Sequence, residues 1–460
     1  MISGQDLRSR RLDVGISQFQ FARRAGVSSA VVSAWELDKA YPKPPVARAV
    51  LTALSALEAA KREGTYAAPR KRSSGSSRAR RATPVNDPAS VARRAVAAAG
   101  RGAPTVLTAF SGCGGMAEGF RMAGFSVEGY IEVVPEARAT FDRNFPGARC
   151  LGEDIRAIDE ARVKDLLAQV DIDVLAGGPP CQGFSLAGRR DRDDPRNHLF
   201  RNLLQLAELV KPKVLVMENV RLLLSMKDPD GGMVVDRILG EMAACGYDAS
   251  VNTVNAQDYG VPQFRERVFI VATRRDSSIG PLRFPPKTHG VNGVAPLRTF
   301  RDATVDLAPL ESGQACETDP LHWAVEHPEH VLRWLRDVPE GMSAHDNEDP
   351  AMRPSSGYNT TYKRLRWDEP ASTVGTTFGM ISASRNVHPK HTRSLTVREA
   401  ARLQTFPDDY VFEGKWGAVR TMIGNAVPPQ LAAVLASEIS EGLGFRTRPD
   451  ARASKTNESR

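Results

Sequence analysis

The chain has 460 residues, 41% hydrophobic and 25% charged, and a formal net charge of +8; this is the balance of a water-soluble globular protein with room for two to four domains of roughly 100–200 residues. No apolar run approaches the ~18–20 residues of a membrane span, MISGQDLRSRR lacks the apolar segment of a secretory signal, and the five cysteines (113, 150, 181, 245, 316) form no CxxC pair, which argues against a zinc ribbon or disulfide framework and for a reducing cytoplasm. The charge is uneven: residues 61–103 carry eleven Lys/Arg against two acids, residues 1–60 eight against five, and 104–460 are net −4. Any nucleic-acid surface on the larger portion must therefore come from local clustering.

Residues 5–60 show helical patterning in short pieces. SQFQFARRAGVSSAVVSAWELD predicts a helix opening at Ser17, a turn at Gly26 and a second helix capped by Ser28. Phe21, Ala22, Ala25, Val27, Val32 and Trp35 would form a small core between them. Two short helices across a tight glycine turn make a helix-turn-helix, and with SAWE at its end the stretch resembles the Cro/repressor-type DNA-binding domain. The resemblance implies an all-α domain over 1–61, with Ser28, Ser29, Ala30 and Ser33 facing the major groove; a helical interaction module that binds no DNA is the alternative. Residues 62–103, including APRKRSSGSSRARRATP, are too poor in apolar side chains to order and predict a basic flexible linker. It would add sequence-blind phosphate contacts or serve as a plain solvated tether.

From Pro104 the texture changes. The apolar runs TVLTAF, VLAGG, VLVMEN and RVFIVAT alternate with helical stretches at 114–123, 135–144, 159–168, 201–210 and 233–244. Such alternation predicts a parallel sheet with helices on both faces, whose chemistry gathers at the carboxyl ends of the strands; Phe110, Cys181 and Glu218 stand at such ends. The α/β pattern over 104–275 gives way over 276–395 to an irregular, proline-rich second domain. It returns over 396–445 with a helix in TVREAARLQTF and a last helix from about Pro428 to Ile439, ahead of a disordered tail at 446–460.

FSGCGGMAEGF (110–120) follows the first strand and opens a helix, so its glycines let backbone amides approach a ligand. Glu132, about twenty residues on, is placed for a ribose hydroxyl pair, and Asp154 follows a third short strand. Together they suit an adenosine carrying no phosphate; ordinary solvated loop carboxylates are the alternative for either alone. In GGPPCQGFS (177–185), Cys181 sits on a stiff turn past the apolar run Ile172–Ala176, the place of a nucleophile rather than of a core thiol.

FSGCGG, GGPPCQGFS, MENV, QDYGVPQFRERVFI and GNAVPP occur in the order and rough spacing of the cytosine-C5 DNA methyltransferases, and the chain resembles that family from residue 104 to about 441, apart from the irregular insert. The resemblance implies a Rossmann-like S-adenosylmethionine-dependent methyltransferase fold with a small irregular target-recognition domain, behind the helix-turn-helix domain. It further implies that Cys181 adds to cytosine C6, that Glu218 protonates N3, that Arg267 holds O2 and that Arg265 orients the site or Glu218. S-adenosylmethionine would be held by Phe110, Gly112, Gly114, Gly115, Glu132, Val133, Asp154, Ile155, Gly178, Pro180, Leu199, Asn425 and Ala426. One departure is Val133, where many members carry an aromatic that stacks on the adenine.

The target would be a cytosine flipped out of double-stranded DNA. QGFSLAGRRDRDDPRNHLF (182–200) resembles the family's mobile DNA-closing loop, which implies contacts from Gln182, Ser185, Arg189, Arg190 and Arg196; Thr373 in KRLRWDEPASTV and the following GTTFG are further DNA candidates. Cys316, His322, His327 and His330 match no zinc spacing, so no metal is expected. The whole reads as a bacterial-type, nucleoid-associated restriction–modification or host-protection methylase, with a cognate endonuclease encoded nearby and autoregulation through promoter DNA as further expectations. A transfer-RNA methyltransferase is disfavoured because no CFT occurs, a regulator with a dead catalytic domain because every catalytic residue type is present. Amino-methylating enzymes are disfavoured because GPPC replaces their (D/N/S)PP(Y/F/W).

Overall fold

The computed structural model describes residues 2–14, 16, 21–22, 24–25, 27, 29–36, 41–63, 102–180, 199–227, 230–355, 357–358, 360–382 and 385–445. The chain divides into two compact units, Met1–Arg80 and Arg81–Arg460.

In the first unit, helices α1 (Gly4–Val14), α2 (Ser29–Glu36) and α3 (Pro44–Arg62) surround one apolar cluster. Of the expected core, Phe21, Ala22, Val32 and Trp35 are buried, and Ala25 and Val27 are partly buried against them. Two helices with little place in the short-piece pattern complete it. Leu7 and Val14 come from α1, and Val50, Leu54 and Leu57 from α3, a 19-residue helix with proline at its first positions. The spacing 50, 54, 57 is a single helix face. Arg11 pairs with Glu36 at 2.5 Å, both side chains buried, and also donates to the Ile16 carbonyl. Ser17, Gly26 and Ser28 lie outside the described residues.

The second unit is built on a seven-stranded sheet among the described residues: β1 (Thr105–Ala109), β2 (Ser126–Ile131), β3 (Arg149–Gly152), β4 (Val174–Gly177), β5 (Val214–Val220), β6 (Tyr247–Asn255) and β7 (Glu266–Arg274), in the order β3-β2-β1-β4-β5-β7-β6. The first five pair in parallel, as the strand–helix alternation predicts. The last pairings differ: β7 runs antiparallel to both β5 and β6. Only residues 256–265 separate β6 from β7, too few for the crossover that parallel pairing needs.

Strand alternation decides the two faces. Leu107, Ala109, Leu175, Leu215 and Met217 point one way, into a cluster with α6 (Glu160–Leu167), α7 (Leu199–Val210) and α8 (Val234–Ala244). Val106, Val174, Ala176, Val214 and Val216 point the other way, against Phe120 of α4 (Gly115–Met122) and Leu431 and Leu435 of the C-terminal helix Pro429–Gly442. These two helices touch backbone to backbone. A Cβ at Gly119 would lie 2.4 Å from both Ala432 Cβ and the Pro429 carbonyl, and one at Gly115 would lie 2.4 Å from the Val427 carbonyl.

Residues 276–395 contain only two short α-helices among the described residues, α9 (Phe300–Thr304) and α10 (Glu329–Leu335), with isolated β-bridges. They do not stand apart from the sheet. Phe300, Leu321, Leu365, Val374 and Phe378 share a buried cluster with Cys113 beside β1, Phe141 of α5 (Pro135–Asn144) and Leu403 of α11 (Val397–Leu403). Helix α12 (Trp416–Asn425) and α13 (Pro429–Gly442) close the unit, α11 opening on a capping box between Thr396 and Glu399.

Candidate active site

A cavity of about 1000 Å³ opens where β1, β2, β4 and β5 end. Past β1 the backbone turns on positive φ values at Phe110 (53°), Gly112 (54°) and Gly114 (91°). Such angles cost little at glycine and are strained at phenylalanine. Glu132, just after β2, accepts the Gly112 N–H at 2.7 Å and the Val134 N–H at 2.8 Å, so one carboxylate ties the β1 and β2 loops together. Arg138 of α5 braces that wall: it donates to the carbonyls of Glu132 and Val133 and pairs with Glu153 at 3.1 Å. Asp154 caps the short helical turn Ile155–Ala157 by accepting the Arg156 N–H at 2.9 Å. Hydrogen bonds from the Arg156 side chain and backbone hold the Asp154 carboxyl below the usual carboxylate range.

Of the residues expected to hold a cofactor, Phe110, Gly112, Gly115, Glu132, Val133, Asp154, Ile155, Gly178, Pro180, Leu199, Asn425 and Ala426 line this cavity. Gly114 does not. A Cβ there would lie 2.6 Å from the Tyr410 hydroxyl and 2.7 Å from the Phe145 ring, and Tyr410 donates to the Cys113 carbonyl beside it. The described reason for Gly114 is therefore packing against the C-terminal portion.

Glu218 also lines the cavity. In the β5–β7 register Glu218 stands opposite Phe269 and Val220 opposite Arg267, so Glu218 and Arg267 are diagonal neighbours on one face; Arg267 Nε lies 2.9 Å from Glu218 Oε1. Burial raises the Glu218 pKa, the charges of Arg267 and Arg265 and the Arg267 hydrogen bond pull it down, and the net direction is up. Gly178 lets this carboxyl lie against the β4 turn, since a Cβ there would come within 3.2 Å of Glu218 Oε2. Arg265 makes a different contact from the one expected of a Glu218-orienting group. Fully buried, its guanidinium donates to the carbonyls of Val374 (3.1 Å), Gly424 (3.0 Å) and Ala426 (2.9 Å). It acts on Glu218 through its charge while fastening residues 371–374 to the cavity wall.

Three further residues hold the site. Asn219 donates to the Pro179 carbonyl at 2.9 Å, fixing the turn that leads to residue 181. Gln263 is fully buried, accepts the Val374 N–H at 2.8 Å and donates to the Leu403 carbonyl and to Gln404. Arg138 is the third. The alternation Gln263, Arg265, Arg267 is a sequence sign that the three share one face, and the exposed Phe264 between them shows in the structure that this face is the inner one; Asn219 and Arg138 carry no such signal.

Among DNA-contact candidates, Thr373 is exposed and its hydroxyl donates to the Phe264 carbonyl at 2.7 Å. Cys181, Gln182, Ser185, Arg189, Arg190, Arg196 and Ser28 lie outside the described residues; Ser29 and Ser33 are on α2. His322 bonds Thr396 and the Ala308 carbonyl, and His327 bonds Ser394, so these two imidazoles tie the irregular segment to the start of α11. Among the described residues no helix is long and apolar enough to cross a membrane.

Comparison with known proteins agrees with this geometry. Residues 105–441 match the model of the C-5 cytosine-specific DNA methylases, and residues 7–56 that of a helix-turn-helix. Type II methyltransferase M.DdeI of Desulfomicrobium norvegicum is 33% identical over 373 residues, covering 73% of this chain and 88% of that protein. Type II methyltransferase M1.HphI of Haemophilus parahaemolyticus is 35% identical over 339 residues, covering 73% and 86%. Among solved structures, a prophage-encoded E. coli protein named as a DNA modification methyltransferase superposes with a TM-score of 0.59 at 24% identity, over 74% of this chain and 100% of that one. Entamoeba histolytica methyltransferase EhMeth superposes with a TM-score of 0.51 at 15% identity, over 75% and 99%, and both share the fold. A Rossmann-like sheet, a partly buried acid paired with an arginine at the end of β5, and a family match across most of its length place this chain in the C-5 cytosine-specific DNA methylase family, a DNA cytosine-5 methyltransferase carrying an N-terminal helix-turn-helix.

Proposed function

We propose that the chain methylates C5 of a cytosine flipped out of duplex DNA, with S-adenosylmethionine as donor and Cys181 as transient covalent nucleophile, as the modification enzyme of a type II restriction–modification system. The observation that carries this reading is the Glu218 carboxyl, 2.9 Å from Arg267, lining the same cavity as Phe110, Glu132 and Asp154. The donor fits the residues present. The cavity is within the size range of small-molecule sites, and besides Glu218 its lining holds three carboxyl groups (Glu132, Glu153, Asp154) against one cation, Arg156, among the described residues. That sign of charge suits a sulfonium and an ammonium and repels a phosphorylated nucleotide. Glu132 keeps lone pairs for a ribose hydroxyl pair after its two backbone bonds. Bound there, the cofactor supplies an electrophilic methyl group on positively charged sulfur.

The residues of the chain do the rest. The Cys181 thiolate adds to C6, which turns C5 into a nucleophile, and the charge driven onto the ring is met at N3 by the Glu218 proton. Arg267 fixes Glu218 and faces the developing charge at O2. After methyl transfer the C5 proton passes to water, the C5–H electrons expel the Cys181 thiolate from C6, and N3 returns its proton to Glu218. Residues 276–395 would read the target sequence, Thr373 and residues 182–196 would hold the DNA backbone, and the helix-turn-helix would bind DNA upstream of the enzyme's own coding region. A partner endonuclease encoded nearby belongs to the same reading.

Cys181→Ser is expected to abolish methylation while DNA and cofactor binding persist, scored by bisulfite sequencing of DNA from a host expressing each form. An oligonucleotide with 5-fluorocytosine in the target should give a permanent adduct with the wild-type chain and none with the variant. Absence of any adduct with active, cofactor-loaded protein would sink the covalent route.

A further inference from the structure

Two side chains in the described cavity lining present a broad flat face, the Phe110 ring and the Arg156 guanidinium. They come from different walls. Phe110 ends the β1 run and packs partly against the core, whereas Arg156 lies beside Asp154 and Ile155 in the turn after β3. Between them the Glu132 loop contributes Val133, which is 60% exposed and offers only a small branched surface. The guanidinium is not loose: its Nε lies 3.0 Å from each Asp154 carboxylate oxygen, and the same carboxylate accepts the Arg156 backbone N–H at 2.9 Å. Those bonds use the edge of the group and leave its faces free, and a guanidinium so held stacks well on a flat π system. An exposed Arg–Asp pair with no ligand to cover would by itself add almost nothing.

We infer that Arg156 is a cofactor-binding residue, stacking its guanidinium on the adenine ring across from Phe110 and covering the face that Val133 is too small to cover. The inference rests on the S-adenosylmethionine reading above and names which residue completes its adenine pocket. It makes Asp154 bifunctional: the carboxylate orients the arginine and keeps a lone pair for the ring's amino group.

Calorimetric titration of the full chain with S-adenosylmethionine tests it. Arg156→Ala is expected to weaken binding roughly five- to tenfold, the size of a partly exposed cation–π contact, with the change also seen in the cofactor KM. Arg156→Trp, which puts another flat ring at the same position, is expected to keep near wild-type affinity, and Val133→Trp is expected to restore affinity to Arg156→Ala. Unchanged binding by Arg156→Ala overturns the assignment. So does a loss that neither tryptophan repairs, which would reduce Arg156 to a brace for Asp154. Should the wild-type chain take up no S-adenosylmethionine, the cofactor reading itself falls; binding by wild type with no effect of Arg156→Ala removes only this residue's part.

Discussion

At Glu218, burial and neighbouring charge pull in opposite directions, and burial wins. A carboxyl whose folded pKa lies above its unfolded value contributes most to stability below the unfolded value, and that contribution is lost as pH rises through the folded one. The same titration governs chemistry, because only the protonated acid can give a proton to N3. Transfer should therefore slow on the alkaline side of the raised pKa. Glu218→Gln is expected to lower kcat by about 10²–10⁴-fold and to erase that limb of the pH–rate profile. Asn219→Ala removes its hydrogen bond to the Pro179 carbonyl; loss of one buried hydrogen bond costs about 1–3 kcal/mol, and slower adduct formation with 5-fluorocytosine DNA is its readout. The identity of Glu218 was legible from MENV. The direction of its pKa shift was not, because it is set by burial against the charges of Arg267 and Arg265, which lie about fifty residues later and reach it only through the antiparallel β5–β7 pairing.

At the scale of elements, two contacts carry the architecture. Helices α4 and α13 meet at Gly119, where the backbone approach leaves no room for a side chain. Gly119→Val is expected to cost about 1–3 kcal/mol or more, in the range of overpacked cores, and to lower the thermal midpoint while part of the cofactor pocket is displaced with α13. Helix α11 is pinned by Glu399, which is buried and bidentate to Arg393, with Nη to Oε distances of 2.8 Å. Burial alone would raise the Glu399 pKa, but Arg393's charge and hydrogen bonds outweigh it and bring the carboxyl to about 2. Its contribution is thus present above the unfolded carboxylate value and is lost as pH falls through the folded one. Glu399→Gln should remove the acid-side stability slope between about pH 4.5 and 2, and breaking the buried pair should destabilise by about 3–5 kcal/mol, both measurable by denaturant titration across pH. The helix itself was readable from TVREAARLQTF; Arg393 as its partner was not, because the sequence shows the two residues without showing that both are dry.

Across the whole molecule, charge and fold are separately distributed. Nine Lys/Arg between residues 64 and 101 account for much of the positive balance, while the methylase portion is acidic overall and acts through local groups. Removing 64–101 should leave methylation of the target intact and flatten the dependence of log K on log salt for nonspecific DNA, since each lost phosphate contact lowers the slope by about 0.9. The irregular segment 276–395 shares its apolar cluster with α5 and α11 and is fastened by Arg265 and Gln263. Its packing is therefore coupled to the cavity wall that Ala426 and Asn425 complete.

Most strands and helices over 104–275 were readable from the sequence alone, since runs such as TVLTA and VLAG are short, largely apolar and buried at every position, a local pattern that needs no partner to be read; β6, whose YDASVNTVN is polar at most positions, was not. The positions of Glu218 and of most residues that line the cavity were also legible, because they sit in short motifs that resemble the family's. The antiparallel seating of β7, the displacement of Gly114 from the pocket, the backbone clamp of Arg265 and the brace of Arg138 were decided by tertiary structure. Each depends on groups distant in the chain meeting at hydrogen-bond or van der Waals distance, and periodicity along one strand or helix carries no information about what lies across the gap.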